Sequence, residues 1–185
     1  MQGLRDHFLM AMPHLEDDNF AGSLTYICDH DDNGTLGLML NQPMELTLEG
    51  LFEQLEIDAS GCDELSTAVL SGGPVHRERG FILHSGSPEQ WDSSIRTGDN
   101  RALTTSMDIL HAIAAGRGPS SFLVCLGCVG WEPDQLAREM KDNTWLTVEA
   151  SDEVLFHTPA AARLDAAAGR LGVDLRLLSR EAGHG

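Results

Sequence analysis

The densest run of chemically capable residues lies between Ser71 and His84. A strand-like run enters Gly72-Gly73-Pro74-Val75. Arg77 and Arg79 follow as the only basic pair near an acid-rich half, and His84 closes the segment. Glycine tolerates backbone angles and close approaches that other residues do not, and exposed glycine amides beside an arginine can hold a carboxylate or phosphate. A strand rather than a helix is predicted to follow, so the helix-dipole part of a nucleotide loop is missing. The competing explanation is a tight turn whose arginines pair with neighbours such as Glu78. Gly127-Cys128-Val129-Gly130-Trp131 likewise predicts a tightly shaped loop beside a strand, with Trp131 as core anchor or pocket wall. Asn41, Gly72, Gly73, Arg77, Arg79, His84, Asp108 and Trp131 are the candidate ligand-binding residues, and no residue is assigned as catalytic.

Other patterns exclude more than they suggest. Asp29-His30-Asp31-Asp32-Asn33-Gly34 mimics the start of a calcium loop, but the twelfth position, which needs a bidentate Glu, is Leu40. Asn33-Gly34 reads instead as a hairpin turn. Cys125 and Cys128 have the spacing of zinc and redox sites, yet the remaining cysteines, Cys28 and Cys62, are distant in sequence. Structural thiols without metal or cofactor are the expectation. The chain has no Gly-x-Ser-x-Gly elbow, no His-Glu-x-x-His and no Gly-Lys-Ser/Thr phosphate loop. Its single lysine, Lys141, precedes Asp142 at a predicted helix end and reads as surface charge.

The elements that must position these residues come from 185 residues, about one domain's worth. Hydrophobic residues at 42% and charged residues at 22% are ordinary for a globular chain, which needs no metal or disulfide staple at this size. No run approaches the ~20 apolar residues of a membrane span. The interrupted, acidic start is expected not to be a signal peptide, so a cytoplasmic location is expected. The formal net charge is −17. From Asp6 to His76 there are 14 acidic residues and no Lys or Arg. Such a segment repels phosphate backbones, which disfavours direct nucleic-acid binding; it serves as a solvated face or as a docking surface for a basic partner.

Periodicity predicts strands at Phe8–Ala11, Leu24–Cys28, Thr35–Leu40, Thr67–Leu70, Gly80–Leu83 and Phe122–Leu126. Helices are predicted over Leu48–Leu55 behind Thr47, Met107–Ala115 behind Ser106 and ended by Gly116, from Pro133 burying Leu136, Ala137 and Met140, and over Pro159–Leu171 behind Thr158 and stopped by Gly172. Strands come in sequential pairs rather than alternating with helices, which predicts one α+β domain over residues 1–185.

In order along the chain stand Phe8-Leu9-Met10-Ala11-Met12-Pro13, Gly37-Leu38-Met39-Leu40-Asn41-Gln42-Pro43, Gly72-Gly73-Pro74-Val75 with Arg79-Gly80-Phe81-Ile82-Leu83-His84, Thr105-Ser106-Met107-Asp108, Gly116-Arg117-Gly118-Pro119, and Gly127-Cys128-Val129-Gly130-Trp131 with Gln135-Leu136. On these residues the sequence resembles the YqgE/AlgH family of small bacterial proteins over nearly its whole length. The resemblance implies a flattened, barrel-like, mostly antiparallel sheet flanked by helices. It carries a label of transcriptional regulator, drawn from regulation of exopolysaccharide synthesis, but no agreed catalytic residues. The family commonly has Tyr-Ala where this chain has Cys128-Val129, which argues against a family-wide role for the Cys-x-x-Cys pair.

The reading that combines these points is a non-enzymatic regulatory or scaffolding protein acting through a protein partner or a small ligand. The alternative is an enzyme of unrecognised class whose cleft, near the Gly72-Gly73-Pro74 loop, gathers Asn41, Arg77, Arg79, His84 and Asp108. Direct DNA binding rests only on the family label. The Met107–Ala115 helix has no Lys or Arg, and the one after Pro133 is mixed in charge.

Overall fold

Residues 3–11, 22–142 and 145–172 are described by a computed structural model; Met12, Pro13 and His14 lie outside them. Ten strands form in chain order: β1 (His7–Ala11), β2 (Leu24–Asp31), β3 (Gly34–Met39), β4 (Pro43–Thr47), β5 (Ala68–Ser71), β6 (Val75–Ser85), β7 (Ser94–Gly98), β8 (Arg101–Thr104), β9 (Phe122–Trp131) and β10 (Trp145–Glu149). Five helices accompany them: α1 (Leu48–Gln54), α2 (Met107–Ala114), α3 (Gln135–Lys141), α4 (Asp152–Phe156) and α5 (Arg163–Arg170). The order across the sheet is β10-β1-β2-β3-β9-β6-β8-β7, with β4 paired to β5 and β5 running parallel to β9. All other pairings are antiparallel. The sheet curls into a half-barrel, so the expected α+β architecture with a mostly antiparallel, barrel-like sheet is present. Its curl carries β7 back toward β2, where Tyr26 Oη lies 2.8 Å from Thr97 Oγ1.

Alternation along the strands sorts the apolar residues onto two faces. The concave face gathers Phe8, Met10, Tyr26, Leu38, Phe81, Leu83, Leu103 and Cys125, closed by Val154 and Leu155 of α4 and Ala167 and Ala168 of α5. The convex face is covered in two places. Leu48, Leu51 and Phe52 of α1 and Ile109, Leu110 and Ile113 of α2 cover Val69, Ile82 and Val124. Leu136 of α3 covers Leu9, Ile27, Met39, Val129, Trp131 and Trp145. The two indoles meet edge to face at 6.0 Å, and both donate to Glu139 Oε2 at 3.0 Å.

Central strand β9 changes phase at Gly127, which has φ +84°. Before it, Leu123 and Cys125 face the concave side and Val124 the convex side; after it, Cys128 is concave and Val129 convex. One extra residue reverses the alternation, which is the work of a β-bulge. Partner strand β6 answers with a larger irregularity: Val75 pairs with Cys128, and the next partners are Gly80 and Leu126, leaving His76–Arg79 outside the ladder. The chain from β5 crosses close above this point. Gly72 N donates to the Leu126 carbonyl and the Gly72 carbonyl accepts from Met39 N, each at 2.8 Å. A Cβ at Gly72 would strike the Gly127 carbonyl oxygen, and one at Gly127 would strike that of Gly73.

The hairpin at Asp31–Gly34 forms as expected, with Asp31 paired to Gly34. Thr47 caps α1 through Gly50 N at 3.3 Å. Four expectations are corrected. Gly127–Trp131 is not a loop but the second half of β9, because the bulge absorbs Gly127 without ending the ladder. The helix after Pro133 begins at Gln135, since Asp134 takes a left-handed φ of +68°. Only Leu136 among its three apolar residues is fully buried. Ser106 makes no capping bond to α2; its hydroxyl donates to Asp108 instead. The Pro159 helix breaks into a 3-10 turn over Ala160–Ala162 followed by α5, with Pro159 itself extended.

Gly127→Ala should cost on the order of 3 kcal/mol, combining left-handed strain with backbone overlap. Denaturant unfolding measures it. A loss below about 0.5 kcal/mol would mean that the bulge is not fixed by glycine.

Candidate functional site

The ladder gap left by His76–Arg79 opens onto a cleft of about 530 Å³ on the concave side. Its floor runs across five strands: Leu36 of β3, Cys128 of β9, Phe81 of β6, Leu103 of β8 and Ile95 of β7. Ile95 faces this way because it pairs directly with Leu103. His76 and Arg79 contribute cationic or titratable groups, and Asp92, Ser93, Ser94 and Thr105 contribute polar ones. Apolar floor and few polar groups at the rim are the ordinary make-up of a small-molecule site.

Local geometry holds each wall. His76 takes a φ of +50°, a conformation that costs a non-glycine residue about 1 kcal/mol or more and collects at functional sites. The Arg79 guanidinium carbon sits 5.7 Å from the centre of the Phe81 ring, and among the described residues no carboxylate pairs with it. Opposite, the Asp108 carboxylate accepts from Asp92 N at 2.9 Å, from Ser106 Oγ at 2.5 Å and from Ile109 N at 2.9 Å. Burial pushes the Asp108 pKa up, but these hydrogen bonds outweigh it and hold the carboxyl below its usual value. Ser106 Oγ also accepts from Ser93 N at 3.0 Å. Asp108 and Ser106 thus pin the Asp92–Ser94 wall to the start of α2.

A hydrogen-bonded chain runs inward from the same wall. Ser94 Oγ lies 2.6 Å from Thr104 Oγ1, which lies 2.7 Å from His84 Nε2, and His84 Nδ1 donates to the Ser85 carbonyl at 2.8 Å. A carbonyl can only accept, so Nδ1 carries the proton and Nε2 of the neutral ring accepts from Thr104. His84 is 0% exposed and packs edge to face against Trp91. Burial lowers its pKa from the ordinary 6.5, against a smaller upward pull from the Ser85 carbonyl.

The structure therefore distributes the eight candidates. Arg79 lines the cleft, and Arg77 is exposed on the same excursion. Asp108 and His84 support it from behind. Gly72 and Gly73 frame the bulge. Asn41 stands apart, accepting from Leu24 N and donating to the Gly22 carbonyl, both at 2.9 Å. Trp131 belongs to the α3 side as a core residue. Sequence reasoning missed His76, Asp92, Ser93, Ser94 and Thr105. His76 was within reach as the residue between Val75 and Arg77, whereas the serines carry no pattern of their own. The described residues hold no group of three or more side chains able to bind a metal. Burial pushes the Cys128 thiol up while Arg79 draws it down, and burial lifts Cys125 to about 12. Such thiols pack rather than react.

These features define a class: an α+β protein with a curled half-barrel sheet and a concave, ligand-sized cleft beside a bulged central strand. The AlgH-like family model matches residues 8–176, and the chain belongs to that family. It is 61% identical over 184 residues to a UPF0301 protein of Chromohalobacter salexigens, covering 100% of both chains. Identity is 49% to a UPF0301 protein of Saccharophagus degradans, over 98% of this chain and 88% of that one. The solution structure of the AlgH protein from Pseudomonas aeruginosa superposes with a TM-score of 0.80 at 45% identity, covering 96% of this chain and 94% of that one. A crystal structure from Corynebacterium diphtheriae, 18% identical, shares the fold with a TM-score of 0.78 over 97% of this chain and 93% of that one.

Because folding excludes a proton from His84, the unfolded chain binds more protons once pH drops to about 6.5. The stability tied to this residue is complete above that pH and is lost as pH falls toward the lower folded value. Urea unfolding at intervals between about pH 5.5 and 7.5 should show this slope in the wild type and not in His84→Gln. Equal slopes in both would assign the dependence to other groups.

Proposed function

We propose that this protein is a cytoplasmic, non-enzymatic regulatory protein whose state is set by a small ligand in the His76–Arg79 cleft. The supporting observation is the excursion itself. Four residues leave the ladder of a central strand pair, adopt a strained φ at His76, and bring over an aromatic floor a guanidinium that no carboxylate among the described residues pairs. Bulges that re-aim side chains in this way gather beside functional sites. The ligand matching these walls has an apolar or planar body for Phe81 and Leu103, an anionic group for Arg79, and a hydroxyl or amine for Asp92 and Ser94.

Several observations support the non-enzymatic part. His84 spends both ring nitrogens within the protein, the concave thiols are held protonated, and Asn41 is engaged in backbone bonds away from the cleft. No helix among the described residues is long and apolar enough to cross a membrane. Cys28, Cys62, Cys125 and Cys128 are all unbonded, which suits a reducing compartment. A protein partner remains the second reading. It draws on the exposed acids Glu49, Glu53, Glu56 and Asp58 along and after α1, a face suited to a basic surface.

A thermal-shift and calorimetry screen of organic anions, nucleotides and amino-acid derivatives tests the ligand reading. A ligand of the cleft should bind Arg79→Ala at least tenfold more weakly, about 1.4 kcal/mol, while the variant's own stability changes little because Arg79 is exposed. No saturable ligand, or one that ignores Arg79→Ala, would pass the lead to the acidic partner face.

A further inference from the structure

We propose that a second cavity, separate from the His76–Arg79 cleft, binds a small organic carboxylate on Arg163. This cavity has a volume of about 230 Å³ and lies between β4, β5, β9 and the start of α5. Its surface is apolar over most of its extent, with Leu48, Leu70, Phe122 and Val124 among its lining residues, and among the described residues Arg163 supplies its only charged side chain.

Arg163 is 7% exposed. A guanidinium carries five N–H donors. Here Nη1 donates to the Leu40 carbonyl at 2.6 Å, while buried Nε has no partner. No acidic side chain among the described residues pairs with it. Burial lowers its pKa, and the one group opposing that shift is the Cys125 thiol. A buried ion without a counter-charge is among the most unfavourable arrangements a protein can hold. Arginine in particular does not escape by losing its proton. The described residues supply no such counter-charge, and a bound anion would supply it. Carboxylates match the guanidinium fork in two-pronged geometry, and the apolar remainder of the cavity calls for a hydrocarbon body rather than a bare inorganic ion. At about 30 Å³ per water-sized group, the space admits about eight non-hydrogen atoms. That selects a short aliphatic or single-ring carboxylate and rejects a nucleotide.

Hexanoate and benzoate are the probes, with 1-hexanol, hexylamine and inorganic phosphate as controls. Saturating hexanoate or benzoate should raise the unfolding temperature of the full chain by a few degrees, and the three controls should not. Arg163→Met keeps length and apolar contact but removes the charge, and should weaken carboxylate binding at least tenfold. Ala68→Phe fills the cavity from its β5 wall with Arg163 intact, and should do the same. If Arg163→Met does not fold, Ala68→Phe decides the question alone. The hexanoate response that Ala68→Phe removes should persist in Arg79→Ala, which separates this site from the cleft. The proposal is overturned if the wild type gives no saturable response to either carboxylate, if 1-hexanol or phosphate binds as well, or if Ala68→Phe binds with wild-type affinity.

Discussion

The change of phase in β9 at Gly127 is the constraint from which the rest of the architecture follows. A strand of ten residues in regular alternation would place Cys125 and Cys128 on opposite faces; the bulge places both on the concave side. It also lets one edge of β9 serve two partners, β5 along its first half and β3 along its second. The join between those partners is closed by Gly72, which bonds to both β9 and the end of β3. That join works only without side chains, because Gly72, Gly73 and Gly127 approach one another backbone to backbone. A bulge also increases local twist, and the curl of the half-barrel is the accumulated result.

The curl sets the cleft and its closure. Opposite the bulge, β6 cannot stay in register, and His76–Arg79 leave the ladder toward the concave side. At the far end, the returning β7 and β8 are fastened to the first strands by a polar cluster. Tyr26 Oη lies 2.6 Å from Asp6 Oδ1, and Arg101 donates to both Asp6 oxygens at 2.7 and 2.8 Å and to Asp152 at 2.9 Å. Burial and the Asp6 carboxylate push the Tyr26 hydroxyl pKa well above its usual value, so it stays a donor. Arg101 Nη1 reaches both Asp6 oxygens while its Nε reaches Asp152, so one guanidinium ties β8 to the chain before β1 and to the start of α4. The half-barrel is thus held at its middle by glycine contacts and at its rim by an ion-pair cluster, with the ligand-sized space between.

Much of this was legible in the chain. Leu24–Cys28 and Thr35–Leu40 flank Asn33-Gly34, and that hairpin is a purely local matter of turn chemistry. Thr47 before Leu48, Leu51 and Phe52 marks α1 for the same reason. Strands β4 and β7 escaped because residues such as Pro43-Met44-Glu45 and Ser94-Ile95-Arg96 carry little apolar alternation, and β8 and β10 because they are only four and five residues long. They are strands because neighbours pair with them, which no short window contains. Gly72-Gly73 and Gly127 mark unusual backbone in the sequence, although at Gly127 the expected loop is a bulge within β9. Their meaning, a crossing of two segments some fifty residues apart, depends on tertiary proximity. Of the candidate site residues, Arg79 reaches the cleft and Asp108 and His84 stand behind its walls. Ser93, Ser94 and Thr105 line it only because β7 and β8 fold back. Arg163 gave no sign in the sequence, since an arginine in an alanine-rich helix that also carries Asp165 and Arg170 reads as surface charge.

Cross-strand amide contacts between β6 and β9, measured by nuclear Overhauser spectroscopy, test the bulge most directly. The account predicts contacts for Val75 with Cys128 and for Gly80 with Leu126, and none from His76 through Arg79 to β9. A regular antiparallel ladder stepping from Val75–Cys128 to contacts between Arg77 and Leu126 would contradict it. In that case Cys128, the excursion and the cleft would all need another explanation.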